Sequence, residues 1–384
     1  MSEWREAIGS VRAPFLATRL AVPLIGLLAV YSIGYPPGEP RMRASKNELA
    51  NLALRWDAGW YIAIARNGYY YNRNRSDRQF NIAFFPAYPL LIRAVRPIFG
   101  RRDASYLTAG VFISHVAFFG ALVLLYALAR SDLGDDASAR GAVVLLACYP
   151  FSVFHATAYT ESLFLLAVLG AIVALRRQQW RYAIVAGVLA GLTRPNGFLL
   201  AATLATMAAT TPVRQHLRDA KTRLAALGGI AAPVVGMALF SIYVGLETGN
   251  PFQWSAQHAA WGRSLEAARW SEPLTVITEQ GFSGYVSTLP LDFLNAVPAL
   301  AALALIVPIW RRFGPAYPVF LATNLLPPLL TGGTMSMGRM TATMFPLFLW
   351  LATVRRISTT MLAIVFALLQ GFIAVLFYTW RALN

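Results

Sequence analysis

The feature that most limits what this chain can fold into is a recurring run of hydrocarbon side chains, broken mainly by short basic stretches. Runs such as "APFLATRLAVPLIGLLAVYSIG" near the start and "TTMLAIVFALLQGFIAVLFYTW" near the end reach the ~20 residues that carry a helix across a bilayer. In hydrocarbon, backbone polar groups must be satisfied within the protein, so only helices and closed barrels cross. Barrels alternate apolar and polar residues in ~10-residue segments, and this chain does not. Composition agrees: of 384 residues, 57% are hydrophobic and 13% charged, with mean hydropathy +0.52. A soluble domain carries roughly 25% charged residues. The expected class is an all-α polytopic membrane protein.

The first apolar run is too long for a signal sequence and lacks a small-residue cleavage site, so it reads as a retained helix. The single cysteine, Cys148, lies inside an apolar segment, which excludes a disulfide or thiolate metal site within one chain. The formal charge of +16 raises the question of nucleic acid. Most of the basic residues, however, fill short breaks between spans, where the positive-inside rule puts them. The expected surroundings are a lipid bilayer, with no nucleic acid.

Arg5 and Arg12 precede the first span and put the N-terminus on the cytoplasmic side. Spans are expected over about 13–34, 105–129, 141–157, 161–175, 224–246, 290–309, 315–330, 340–354 and 359–380. The stretch "YAIVAGVLAGLTRPNGFLLAATLATMAA" is interrupted at Arg194-Pro195-Asn196-Gly197. It fits two half-length helices meeting at a polar turn, since Pro and Gly at membrane depth are tolerated where they line a polar cavity. The expectation is about 11 passes in one domain, 1–384, with outer segments at about 35–104 and 247–289. This topology keeps Arg176, Arg177, Arg181, Arg214, Arg218, Lys221, Arg223, Arg311, Arg312, Arg355 and Arg356 on the cytoplasmic side.

The first outer segment breaks the charge rule. Over residues 35–81, Arg41, Arg43, Lys46, Arg55, Arg66, Arg73, Arg75 and Arg78 face only Glu39, Glu48, Asp57 and Asp77. Long loops tolerate this, but an anionic partner explains it, either anionic lipid or a lipid-phosphate substrate. Within "RWDAGWYIAIARNGYY" and the residues before it, Leu49, Leu52, Trp56, Trp60 and Ile64 recur at helical spacing. They predict an amphipathic helix in the interface with its Trp rings at headgroup depth. Asp57 stands at the edge of that stripe, one turn before Tyr61, where desolvation makes a carboxylate more basic. The plainer reading is an ion pair with Arg55 or Arg66.

The same topology brings other polar residues to the outer side. Glu161 follows Tyr159 and Thr160 at a helix start, where an acid also complements the helix dipole. Arg194 interrupts an apolar run and is costly unless it faces a cavity or an anion. Arg339 stands near a helix start, which disfavours a cation without a nearby anion. Trp254, His258 and Trp261 fall at i, i+4 and i+7, as interfacial anchors or as a wall for a sugar ring. Asp57 and Glu161 are the candidate catalytic acids, and Arg194 and Arg339 the candidate phosphate-binding residues. Trp56, Trp60, Tyr61, Tyr159, Asn196, Trp254, His258 and Trp261 complete the expected substrate site. Arginines bind phosphate bidentately and stabilise leaving-group charge, while a carboxylate takes the proton of an acceptor hydroxyl.

The segments "RWDAGWYIAIARNGY…NIAFFPAYPLL", "PFSVFHATAYTESLFLL", "AGLTRPNGFLL" and "GRMTATMFPLFLWLA" occur in order over about residues 50–350. Together they resemble the PIG-V-like family, GPI mannosyltransferase 2-type enzymes and their bacterial relatives, within the GT-C glycosyltransferases. The resemblance implies a GT-C fold and a polyprenyl-phosphate-linked sugar donor, typically mannose. It also implies a membrane lipid or glycan acceptor, reaction on the extracytoplasmic face, inversion and no metal or other cofactor. It maps the catalytic acid of the first outer loop onto Asp57, the Glu of "TES" onto Glu161, the Arg of "RPNG" onto Arg194 and the Arg before the late "FP" onto Arg339. Two other classes stay open: a transporter or flippase of lipid-linked intermediates, for which the broken helix speaks, and a non-catalytic subunit that binds anionic lipid.

Overall fold

The computed structural model describes residues 2–382 apart from 41, 76–77, 211–218, 266–267, 355 and 357. The expectations for Arg41, Asp77, Arg214, Arg218 and Arg355 therefore lie outside the described residues. Among the described residues there are helices and turns and no strand. In chain order the helices are α1 (Ser2–Ser32), α2 (Glu48–Asn51), α3 (Ala58–Asn67), α4 (Ala87–Val95), α5 (Ala104–Leu133), α6 (Asp136–Cys148), α7 (Glu161–Arg176), α8 (Trp180–Thr193) and α9 (Leu200–Thr210). They continue with α10 (Ala220–Thr248), α11 (Gln253–Ala256), α12 (Ala268–Thr288), α13 (Pro290–Ala304), α14 (Ile306–Phe313), α15 (Ala316–Gly332), α16 (Met337–Thr341), α17 (Phe345–Leu351) and α18 (Thr359–Tyr378).

Among the described residues, five helical stretches are long and apolar enough to cross a bilayer: most of α1, α5, α10, the run Pro290–Phe313, and α18. A sixth forms if α6 and the 3-10 segment Pro150–Ala156, bent by 77° from it, count as one span. The other expected passes fall on shorter helices. α7, α8, α9 and α15 have 16, 14, 11 and 17 residues. At 1.5 Å per residue the longest covers about 26 Å, less than the ~30 Å hydrocarbon core. The stretch expected as one helix at 340–354 is two, α16 and α17, because the chain turns at Ala342–Met344 and restarts with Pro346 in the first turn. The interruption at Arg194–Asn196 is as expected, with α8 ending before it and α9 beginning after it.

Ion pairs fix which helix ends lie together. Arg177 pairs with Glu3, and Arg176 with Asp132 at 2.5 Å. The Tyr126 hydroxyl lies between the carboxylates of Glu6, at 2.9 Å, and Asp136, either of which can accept its proton, and Tyr317 donates to Asp132. The start of α1, the ends of α5 and α7 and the starts of α6 and α15 thus share one end of the bundle. These are ends the charge pattern assigns to one side of the membrane. Glu161 stands at the other end of α7.

Small residues bring α8 and α10 close. A Cβ on Gly191 would stand 2.0 Å from the Pro233 carbonyl oxygen, and one on Gly236 2.3 Å from that of Val188. Helices in lipid associate through such backbone approach, because hydrocarbon gives no hydrophobic drive between them. The contact holds α8 immediately before Arg194. Leu16, Leu20, Leu24 and Leu28 form an exposed stripe along α1, which suits a lipid solvent.

Candidate active site

The stripe expected as one interfacial helix is broken in the structure. α2 ends at Asn51, a turn covers residues 52–57, and α3 begins at Ala58. The Arg55 guanidinium donates to the Asn51 carbonyl at 2.7 Å, displacing the backbone donor that a continuing helix would supply. Trp56 then takes φ 50°, a left-handed backbone that is rare for a bulky residue. Leu52 and Ile64 are buried in protein rather than set against lipid. The break aims Asp57 inward at the head of α3.

Asp57 does not pair with Arg55 or Arg66. Arg66 pairs with Asp103 at 3.0 Å, and Arg55 binds carbonyls and a tyrosine. Asp57 Oδ2 instead meets Arg339 Nη1 at 2.5 Å. Arg339 Nε also donates to Glu161 Oε1, and Arg194 Nη1 reaches that same oxygen at 2.9 Å. The four residues make one chain of alternating charge, Asp57–Arg339–Glu161–Arg194. Glu161 is fully buried, whereas the Asp57 side chain keeps 27% of its exposure. Glu161 Oε2 is buried with no hydrogen-bond partner.

Local structure explains the placement. Glu161 opens α7, where the helix dipole favours an acid. Arg339 belongs to the five-residue α16, and the anions it needs there are the protein's own carboxylates. Burial works against the charge on Arg339. Glu161 first, and Asp57 next, more than offset that, and its pKa lies well above the ordinary value. Its guanidinium lies 4.7 Å from the Tyr159 ring centroid and 5.5 Å from that of Phe154, which adds cation–π attraction. Gly338 lets α16 approach Phe151, since a Cβ there would meet the ring at 2.2 Å. The Gly338 N–H donates to Asn295 Oδ1 at 3.0 Å. Tyr159 Oη accepts from the Asp57 N–H at 3.1 Å and donates to the Arg55 carbonyl at 3.2 Å.

The expected substrate residues divide. Trp60 stacks on Phe84 at 5.7 Å, and Trp261 packs edge-on against both, so the two outer segments meet in one aromatic cluster. Tyr61 is buried against Phe84, Tyr88 and Tyr159. Trp56 packs on Trp380 at 5.1 Å with the ring planes tilted by 52°. Trp254, expected on one face with His258 and Trp261, is not: α11 stops at Ala256 and a 3-10 turn Gln257–Trp261 follows. Trp254 is buried, donates from Nε1 to Ser241 Oγ at 2.9 Å and packs on Phe85, so it serves the core. His258 Nδ1 bonds the Trp254 carbonyl at 2.8 Å, and burial pushes the imidazole pKa below its ordinary value. Asn196 donates to Asn324 at 2.5 Å. Phe84, Phe154 and Asn295 are site residues that residue order alone did not single out, although Phe84 and Phe154 lie inside the family-like segments. Among the described residues no cluster of His, Cys, Asp or Glu could hold a metal ion.

Residues 36–244 match the family described as Mannosyltransferase (PIG-V). The chain is 31% identical over 156 residues to GPI alpha-1,6-mannosyltransferase 2 of Mus musculus, covering 38% of this chain and 29% of that protein. It is 29% identical over 153 residues to the Cricetulus griseus protein of the same name, with the same coverage. The matched region thus spans under a third of these relatives' length. Among solved structures the chain is similar to the Archaeoglobus fulgidus oligosaccharyltransferase tethered with an acceptor peptide, at TM-score 0.50 and 14% identity, covering 96% of this chain and 55% of that one. That likeness shows the fold alone, which is GT-C.

Proposed function

The chain belongs to the mannosyltransferase (PIG-V) family, and from that premise we propose that it moves a mannosyl unit from a polyprenyl-phosphate donor to a hydroxyl of a membrane glycolipid or glycoconjugate on the extracytoplasmic face. The observation that carries this reading is the unequal exposure of two carboxylates joined by one arginine. Asp57 keeps 27% of its side-chain surface, and Glu161 keeps none. The reachable carboxylate is suited to take a proton. The buried one is suited to hold two guanidinium groups for an anionic donor.

In this reading the acceptor oxygen attacks the anomeric carbon opposite the phosphate. The carbon–oxygen bond to phosphate breaks, its electron pair leaves with the phosphate, and configuration inverts. Asp57 accepts the hydroxyl proton as general base. Arg339 and Arg194 bear on the phosphate, whose negative charge grows in the transition state. The Arg339 side chain makes no hydrogen bond to a described residue beyond those to Asp57 and Glu161. A donor phosphate that engages it competes with Asp57 and frees the base.

A cavity of about 370 Å³ among α3, α4, α8 and α10 supports a donor with a hydrocarbon tail. Its lining includes Ile64, Pro89, Leu192, Leu239 and Phe240. Ile64 follows Asp57 by two helical turns, and Leu192 lies two residues before Arg194. Leu90 and Leu239 are exposed at its rim, where lipid would meet it.

The test is incubation of purified protein with polyprenyl-phosphate mannose and a membrane extract, with mass spectrometry of new mannosylated products. Asp57→Asn should lower turnover by at least about a hundredfold while donor binding persists. Absence of any transfer by the wild-type protein sinks the reading. An active Asp57→Asn beside a dead Glu161→Gln moves the base to Glu161.

A further inference from the structure

Arg55 stands two residues before Asp57, is fully buried, and has no carboxylate among its hydrogen-bond partners in the described residues. Nε donates to the Tyr378 carbonyl at 2.9 Å, Nη1 to those of Asn51 and Leu54 at 2.7 and 3.1 Å, and Nη2 to Tyr35 Oη at 3.0 Å. Asn51 and Tyr378 are the last residues of α2 and α18. Carbonyls at helix C-termini lack intrahelical donors and carry partial negative charge. One guanidinium therefore caps two helices and ties the Asp57 turn to the end of α18.

Trp56 and Trp380 adopt φ 50° and 61°, and their rings pack at 5.1 Å with their planes tilted by 52°. Both indole nitrogens are buried without a partner. Left-handed backbone at a bulky residue is strained, and it persists only where its surroundings impose it. Trp380 also lies 5.5 Å from the Arg55 guanidinium. Arg381 Nη1 reaches the Gly34 carbonyl at 3.2 Å, which anchors this turn beside the end of α1.

We propose that the turn Tyr378–Arg381 is a clamp on the base, with Arg55 and Trp380 as positioning residues that fix Trp56 and thereby aim Asp57 at Arg339. The Tyr159 hydroxyl completes the path, since it bonds both the Arg55 carbonyl and the Asp57 N–H. A shift of Arg55 moves both ends of that bridge. The inference rests on Asp57 being the base. It differs from plain packing in one respect: loss of the clamp should slow the reaction only while Asp57 keeps its carboxylate.

The experiment uses the full chain in lipid nanodiscs, with Arg55→Lys and Trp380→Leu made singly and again in the Asp57→Asn background. With polyprenyl-phosphate mannose and a membrane extract, each single variant should lose at least about tenfold in kcat, on the scale of a small misplacement of a reacting group. Donor KM should stay within about twofold. In the Asp57→Asn background neither change should lower the residual rate further, and amide exchange over residues 51–58 should quicken. Unchanged kcat, or an equal loss in both backgrounds, overturns the clamp. Should Arg55→Lys yield no folded protein, Trp380→Leu decides alone. If the wild-type protein transfers no sugar, the proposed function fails, and amide exchange then decides the clamp: unchanged exchange over 51–58 in Trp380→Leu overturns it.

Discussion

Replacing Glu161 with alanine should cost far more stability than replacing Asp57, although both hold Arg339. Glu161 is fully buried between Arg194 and Arg339, whose side chains are 8% and 14% exposed. At an effective dielectric near 20 and about 4 Å between charges, each arginine–glutamate attraction is about 4 kcal/mol. Desolvation of the ions offsets much of this in the intact protein. Glu161→Ala removes the attractions and leaves both cations desolvated, and stranding buried charge in this way costs about 3–5 kcal/mol. Asp57→Ala leaves Arg339 its bond to Glu161 and opens a site that water already reaches, so its cost should be about 1 kcal/mol. Glu161→Gln keeps the acceptor oxygen and should fall between them. Equilibrium unfolding in mixed micelles titrated with dodecyl sulfate, followed by tryptophan fluorescence, measures the order. Equal losses for Glu161→Ala and Asp57→Ala would refute the idea that burial divides their roles.

Arg339→Lys and Arg194→Lys should weaken productive donor binding, because an ammonium keeps the charge without the two-pronged geometry; changes in KM and turnover below about twofold would remove both from phosphate binding. Leu192→Trp should fill the apolar cavity and raise KM for a long-chain polyprenyl donor more than for a short-chain one, and an equal rise for both would detach the cavity from the donor's tail. Cysteine placed at the exposed Arg75 in a Cys148→Ala background should react with an impermeant thiol reagent in intact cells, while cysteine at Arg181 should stay protected; the reverse pattern inverts the assigned sidedness.

The membrane class was legible because hydrocarbon length is a direct physical constraint. So was the break at Arg194, since an arginine followed by a proline inside an apolar run cannot continue a lipid-facing helix without heavy cost. The gathering of Asp57, Glu161, Arg194 and Arg339 was legible too, as the polar remainder once the spans were assigned. Their pairing was not. Arg55 and Arg66 are near Asp57 in sequence, but the partner is Arg339, 282 residues away. Helical spacing also failed where a side chain overrode the backbone. Leu49 through Ile64 keep the right period, yet the Arg55 guanidinium occupies the Asn51 carbonyl and Trp56 turns left-handed. Trp254 and Trp261 share a face only on a continuous α-helix, and the backbone tightens to 3-10 geometry after Ala256. Tertiary contacts of this kind leave no local trace in residue order.

The alternation of Asp57, Arg339, Glu161 and Arg194 has a kinetic consequence. Two anions and two cations cancel, so from beyond a Debye length, about 10 Å in 0.1 M salt, an approaching anion feels almost no field from these four residues. Long-range steering, which lifts encounter rates where a cleft carries net charge, is absent from this quartet. In the proposed reaction, a donor headgroup delivered by lateral diffusion in the bilayer needs no such pull. It need only exchange partners with Arg339 on arrival, so the quartet makes docking a local trade of ions that ionic strength scarcely alters.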